Sequence, residues 1–210
     1  MMIRFLLATA VLALSLHPAC AGDSAFIDNL PALTPDPDRT GAMMWQKPGV
    51  DRAAYTRVMV EPLTIFISPD SEYQGLDADE LKALADTFRD VVTRTLEPDI
   101  PVVGQKGEGV LYLRAAITNV KIAKKKRGLL GYTPIGLVVG AVKSAATGPS
   151  VSLKDAVLEI EMLDSTTGER LGVLVDKAPK GAASELSWDA IAKTMGFYAE
   201  RFKARMQAAK

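Results

Sequence analysis

Histidine and cysteine, two side chains that often carry enzyme chemistry, each occur once in this 210-residue chain, within its first twenty residues. The single cysteine is Cys20 and the single histidine is His17. Both lie in a segment with the pattern of an export signal, so neither is expected to act as a catalytic residue. This pattern argues against Ser–His and Cys–His nucleophile systems, and against zinc sites built on histidine or cysteine.

Glu159 and Glu161 form a carboxylate pair that could in principle perform acid–base hydrolysis. They alternate with apolar residues, and this pattern predicts a strand with one buried face and one solvated face. The sequence contains no Gly-x-Ser-x-Gly elbow, phosphate loop or dinucleotide fingerprint. We therefore expect a non-catalytic protein without catalytic residues, metal ligands or a cofactor, and a carboxylate-based hydrolase is the unfavoured alternative.

Residues 1–21 predict a signal peptide. Arg4 supplies a positive charge, and the apolar run over residues 5–16 is too short for a membrane-spanning helix. Two processing sites fit the small residues that follow. Cleavage before Gly22 would leave a soluble protein, whereas cleavage before Cys20 would make that cysteine the acylated first residue of a lipoprotein.

The lipoprotein pattern places an aliphatic and then a small residue before the cysteine, and here His17 and Pro18 occupy those positions. The chain's only cysteine nevertheless lies in the cleavage region. The sequence therefore slightly favours an outer-membrane lipoprotein with lipidated Cys20 over a soluble periplasmic protein.

Acidic and basic residues balance at 25 each, so no overall charge would recruit nucleic acid. Residues 22–56 carry several prolines and lack periodicity, which predicts an extended tether or strap. Their apolar side chains favour docking of this strap on the domain surface. Residues 57–210 predict a single domain.

The hydrophobic patterns predict an α+β fold with a mainly antiparallel sheet of four to five strands and two helices on one face. The predicted order is strand–helix–strand–strand–strand–strand–helix. The three-residue step from Ile117 to Val120 predicts a β-bulge, and Gly168 predicts a positive φ in a hairpin turn. The expected strands cover residues 57–67, 100–103, 110–122, 154–163 and 170–175, and the expected helices cover residues 77–96 and about 184–206.

An apolar, glycine-rich insert over residues 128–148 interrupts the predicted sheet. It is too short to span a bilayer as a helix. It fits either a segment packed on the domain's own sheet or a loop that dips into a membrane or joins neighbouring subunits. The candidate membrane or partner contacts are Lys124, Lys125, Lys126, Arg127, Leu129, Leu130, Tyr132, Ile135, Leu137, Val138 and Val139.

Several stretches together resemble a family of Gram-negative predicted lipoproteins known only as a domain of unknown function. The resemblance extends from about Phe26 to the end of the chain, and it implies export and lipid attachment without known catalytic residues. The element order is more distantly similar to periplasmic lipoprotein domains such as the curli-secretion pore subunit. The matching stretches are residues 54–62, residues 71–77 with the helix that follows, residues 145–148, residues 163–170, and residues 187–188.

The sequence therefore predicts an uncharacterised envelope protein that faces the periplasm as a binding or assembly module. Its expected partners are a membrane, through Cys20 or the insert, and a further copy of the chain or an envelope protein, with no nucleic acid. An oligomeric, pore-like or secretion-associated subunit is the alternative. Liposome flotation of a Cys20→Ser form separates a membrane-dipping insert from one packed on the domain.

Overall fold

A computed structural model describes the fold over residues 24–75, 78–123, 150–152, 155–177 and 188–208. Within these residues there are eight strands, two α-helices and one 3-10 turn. In chain order they are β1 (Thr34–Pro35), β2 (Ala42–Gln46), the 3-10 turn η1 (Arg52–Ala54), β3 (Arg57–Val60), β4 (Thr64–Ile67), α1 (Ala78–Leu96), β5 (Val110–Ala123), β6 (Ser150–Ser152), β7 (Val157–Asp164), β8 (Arg170–Asp176) and α2 (Trp188–Gln207).

The strands form an open, mostly antiparallel sheet in the order β1-β2-β8-β7-β5-β3. β4 also pairs with β5, further along that strand than β3, and β6 pairs with the last residues of β5. β3 and β4 run parallel to β5, and the other pairs are antiparallel. β5 therefore contacts four strands and is the longest strand described. The mixed α+β class is confirmed.

The sheet has more strands than the four to five that the sequence predicts. The segment predicted as a strap contributes β1 and β2, because β2 pairs with β8 from Ala42↔Asp176 to Gln46↔Gly172. The strand predicted over residues 57–67 is divided into β3 and β4 at Pro62, which has no N–H to donate to the sheet. Residues 100–103 form only an isolated bridge, between Val102 and Val58.

The predicted bulge in β5 is confirmed. Ile65 pairs with Ile117 and Ile67 pairs with Val120, so two residues of β5 lie opposite one residue of β4. Asn119, within the bulge, has a φ of 57°. The predicted hairpin between β7 and β8 is also present, and Gly168 in its turn has a φ of 73°.

Both helices pack on the same face of the sheet, as the sequence predicts. Leu84, Phe88, Val92 and Leu96 of α1 repeat at helical spacing and are buried. They share one core cluster with residues of β5 and α2. The buried residues that these two elements contribute to the cluster are Leu111, Leu113, Ala115, Met195, Ala199 and Met206. This cluster holds the two helices against β5, the centre of the sheet.

The turn between β1 and β2 is joined to α2 by a buried carboxylate. The Asp36 side chain is fully buried, and Arg205 Nη2 donates to its Oδ1 at 2.6 Å while Arg201 Nη2 donates to its Oδ2 at 3.3 Å. Burial acts to raise the pKa of Asp36. Hydrogen bonds from Arg205 and the Asp38 N–H, together with the two arginine charges, outweigh burial and hold this pKa below its ordinary value of 3.8.

We predict that Asp36→Asn lowers the free energy of unfolding at pH 7 by about 2–3 kcal/mol. Loss of a fully buried pair costs roughly 3–5 kcal/mol, and here both guanidinium groups remain partly exposed. Because the folded-state pKa is depressed, this stabilisation is complete above pH 3.8 and is lost as the pH falls through the folded-state value. Urea titrations of both forms should therefore converge in acid.

Asp38→Asn is the matched control, because the Asp38 side chain is 61% exposed while it binds the same Arg205. Its cost should stay below about 1 kcal/mol. Equal effects of the two substitutions would contradict the assignment of Asp36 as the carboxylate that joins the turn to α2.

Candidate functional site

Glu159 and Glu161 lie on the face of the sheet opposite the helices, and each residue is only 3% exposed. The expectation of a solvated face for this pair was wrong. The side chains of β7 do alternate between two faces of the sheet, but residues 24–33 cover the face that carries the two glutamates. Phe26, Ile27, Leu30 and Leu33 form a second apolar cluster there with Val173 and Val175 of β8.

Both oxygens of each carboxylate bind other groups of this chain. Glu159 accepts a hydrogen bond from Thr118 Oγ1 at 2.9 Å and another from the Ser24 hydroxyl. Glu161 accepts from Arg114 Nη1 at 2.7 Å and from Arg170 Nε at 2.6 Å. A buried carboxylate is stable only with such partners. The pair therefore serves here to hold neighbouring segments together.

The same arginines hold the N-terminal segment. Arg170 donates to the backbone carbonyls of Asp28 at 2.7 Å and Asn29 at 2.9 Å. The Arg114 guanidinium lies 4.9 Å from the ring centre of Phe26, a cation–π contact, and also donates to Glu61 at 2.8 Å. We call residues 24–30 with these partners the N-terminal lock.

The N-terminal lock defines the direction in which the chain enters the fold. Ser24 lies at the level of Glu159, near the start of β7, whereas Asp28 and Asn29 contact Arg170, which flanks Leu163 near the end of β7. Residues 24–29 thus run alongside β7 and against the direction of β5. The chain enters from the end of the sheet where β5 terminates at Ala123.

The candidate contact residues predicted from the sequence fall outside the described residues. Cys20 precedes them, and the residues from Lys124 to Val139 lie between Ala123 and Ser150, which pair as the last rung of β5 with β6. The structure therefore describes the two ends of the insert, and both lie at one end of the sheet. The hypotheses of membrane contact and of subunit contact through the insert remain predictions.

A groove of about 450 Å³ opens on the helix-bearing face, between α2 and the outer strands β2 and β8. Its apolar wall includes Leu111, Met162, Leu174 and Phe202, and Tyr55 lines its rim. The Tyr55 hydroxyl donates to Asp164 at 2.9 Å, and burial together with that carboxylate raises the pKa of Tyr55 to about 12. The tyrosine is therefore protonated at neutral pH. Sequence reasoning did not identify this groove.

Among the residues that the structure describes, no cluster of three or more carboxylate, histidine or cysteine side chains is arranged to hold a metal ion. In the same part of the chain, neither helix is long and apolar enough to cross a membrane.

Comparison with known proteins matches residues 22–201 to a family described as "Protein of unknown function (DUF3313)". This match confirms the resemblance to a domain of unknown function, whereas lipid attachment and Gram-negative origin remain expectations. No curated protein matches the chain.

The solved structures that match this chain share little sequence with it. The PelC dodecamer from Paraburkholderia phytofirmans is 9% identical over 76% of this chain and 96% of its own, with a TM-score of 0.37. A DUF4136 family protein from Bacteroides thetaiotaomicron is 9% identical over 80% of this chain and 95% of its own, with a TM-score of 0.36. At these TM-scores the similarity carries no functional inference.

We predict that Glu161→Gln loosens the N-terminal lock. The substitution removes the charge that two arginines share, while the Glu161 side chain is only 4% exposed. We expect a loss of about 2–4 kcal/mol in the free energy of unfolding. Hydrogen exchange followed by mass spectrometry should show faster exchange over residues 24–33 than in the wild type, while α1 exchanges as before.

Glu169→Gln is the control, since Glu169 pairs with Lys47 but is 54% exposed. It should leave exchange over residues 24–33 unchanged. If residues 24–33 of the Glu161→Gln variant exchange as slowly as in the wild type, the Glu161 carboxylate does not hold this segment.

Proposed function

The chain belongs to the DUF3313 family of proteins of unknown function, and we propose that it is an exported, non-catalytic binding or assembly module of the cell envelope. In this proposal, acylated Cys20 holds the module against the periplasmic face of a membrane. The observation that carries the proposal is the N-terminal lock. It ties Ser24 to the sheet only four residues after Cys20.

The short spacing makes the anchor a short one. Four residues of extended chain span at most roughly 14 Å, so Cys20 can lie no further than this from Ser24. An acyl group at Cys20 would enter the hydrocarbon layer of a bilayer. The end of the sheet at which the chain enters would then face the membrane, without a long flexible linker.

The insert supports the same orientation. Ala123 at the end of β5 and Ser150 at the start of β6 lie on either side of it, and they pair at the end of the sheet from which the chain also enters. Lys124, Lys125, Lys126 and Arg127 follow directly after Ala123. In the proposed orientation these cations would face anionic headgroups, which attract basic clusters near a membrane by about 1 kcal/mol per residue.

The contacts of the buried carboxylates favour a binding role over hydrolysis. Catalytic acids and bases must reach a substrate, whereas Glu159 and Glu161 are covered by the N-terminal lock and bound by side chains of the same chain. Removal of that cover would also remove Ser24, one of the partners of Glu159. This geometry supports a structural role for the pair.

We expect mass spectrometry of the purified mature protein to find acylated Cys20 as its first residue. A Cys20→Ser variant should lose the lipid and leave the membrane fraction, unless the insert alone retains it. A mature chain that begins at Gly22 without lipid would overturn the anchor.

Orientation has a separate test, because acylation blocks the only native thiol. A single fluorophore is attached at Asp155→Cys, near Lys121 at the proposed membrane end, or at Gln105→Cys, in the turn before β5. The 14 residues of β5 separate the two ends by roughly 43 Å. Headgroup-bound quenchers in reconstituted vesicles should quench the label at position 155 more strongly. Equal quenching would contradict the orientation.

A further inference from the structure

The groove beside α2 arises from the ratio of helices to strands. Packed helices lie about 10 Å apart and strands about 4.8 Å apart, so two helices cover roughly four strands. The main path of this sheet contains six strands. α1 and α2 pack over β5 and its neighbours, which leaves the surface of β8 and β2 beyond α2 incompletely covered.

The floor and walls of this groove are apolar side chains that remain partly exposed. Met44 of β2 and Leu174 of β8 are directly paired across the sheet, and Ile160 of β7 pairs with Leu174 on its other side. These three residues, with Met162 and Phe202, are only half-buried. Large apolar residues clustered in a concavity of this volume, within the range of about 300–1,000 Å³ for ligand pockets, are typical of ligand sites.

The polar part of the lining has one sign of charge. Lys47, Arg52, Arg201 and Arg205 line the groove, and no carboxylate is among its described lining residues. Arg201 and Arg205 bind Asp36, and Lys47 binds Glu169. Arg52 is exposed, on η1 at the groove, and makes no ion pair with any residue within the described ranges.

We propose that this groove binds one free, monomeric amphiphile with a single acyl chain and an anionic head group, such as a fatty acid. The chain would lie along Met44, Met162, Leu174 and Phe202, and the head group would lie at the rim beside Arg52 and Lys47. This charge complementarity selects an anionic ligand over a neutral one. The assignment concerns the helix-bearing face and does not depend on acylation of Cys20.

The test uses the exported Cys20→Ser chain purified without detergent, which would compete for the groove. Dansyl-labelled undecanoic acid is the fluorescent probe, and decanoate, dodecanoate and dodecanol are competitors. Two added methylene groups should tighten binding about tenfold from decanoate to dodecanoate. Dodecanol, with the same chain and no charge, should compete at least about threefold more weakly than dodecanoate.

Two charge-reversal variants locate the head group. Arg52→Glu should raise the Kd of the probe about three- to fivefold, because it replaces attraction with repulsion at the rim. Arg89→Glu makes the same change on the exposed side of α1 and should leave the Kd unchanged. A third variant, Leu174→Asp, places a carboxylate in the groove and should weaken binding about tenfold or more. Melting curves should show that the two arginine variants are folded.

Four outcomes would overturn the proposal. They are no binding of the probe, equal competition by dodecanol and dodecanoate, equal effects of the Arg52 and Arg89 substitutions, and binding to anionic vesicles without binding of the monomeric acids. The last outcome would identify a bilayer surface as the source of the head group.

Discussion

The fold depends on the pairing of carboxylates that are buried between the sheet and the N-terminal segment. Glu161 is compatible with its position because Arg114 on β5 and Arg170 on β8 flank it from both sides. Glu159 depends on Thr118 and on Ser24, which belongs to the start of the described chain. A carboxylate without such partners in an apolar setting would be strongly destabilising. The back of the sheet is therefore complete only when residues 24–30 are in place.

This dependence explains why the proline-rich segment is part of the domain. β2 adds a strand to the sheet beside β8, and the turn before β2 places Asp36 between Arg201 and Arg205 of α2. On the same side, Asp176 at the end of β8 accepts hydrogen bonds from Arg39 Nε at 2.8 Å and the Tyr198 hydroxyl at 2.5 Å. Residues 24–46 thus contact both faces of the sheet, and buried carboxylates take part in the contacts on each face.

The elements that follow from local pattern could be predicted, whereas the burial of their polar faces could not. Alternation in β5 identified Leu111, Leu113 and Ala115 as core residues, and the irregular step after Ile117 identified the bulge. The same alternation in β7 does not show whether Glu159 and Glu161 face water, because the segment that covers them lies more than 130 residues earlier. Arginines at positions 114 and 170, on strands predicted to flank this one, were the available signal.

The groove escaped prediction for a similar reason. Met43, Met44 and Trp45 lack the alternation that marks a strand, so the sequence did not place Met44 beside Leu174. The cations at the groove come from two distant parts of the chain, residues 47–52 and helix α2. Only the pairing of β2 with β8 brings Lys47 next to Leu171, whose carbonyl accepts from the Lys47 N–H at 2.9 Å. Concave sites made by distant segments leave no periodic pattern in the sequence.

The two proposals are compatible because they use opposite faces of one sheet. The chain enters beside Glu159 on the back of the sheet, towards the end where β5 terminates, whereas the groove lies on the helix-bearing face near Leu111 at the start of β5. Glu159 pairs with Ala116, five residues along β5 from Leu111, so these two levels are roughly 17 Å apart. If the N-terminus holds the end where β5 terminates at a bilayer, the groove rim at Lys47 and Arg52 lies towards the other end of the sheet, away from that bilayer. A ligand that enters at this rim then arrives from solution, as the proposal of a monomeric amphiphile requires.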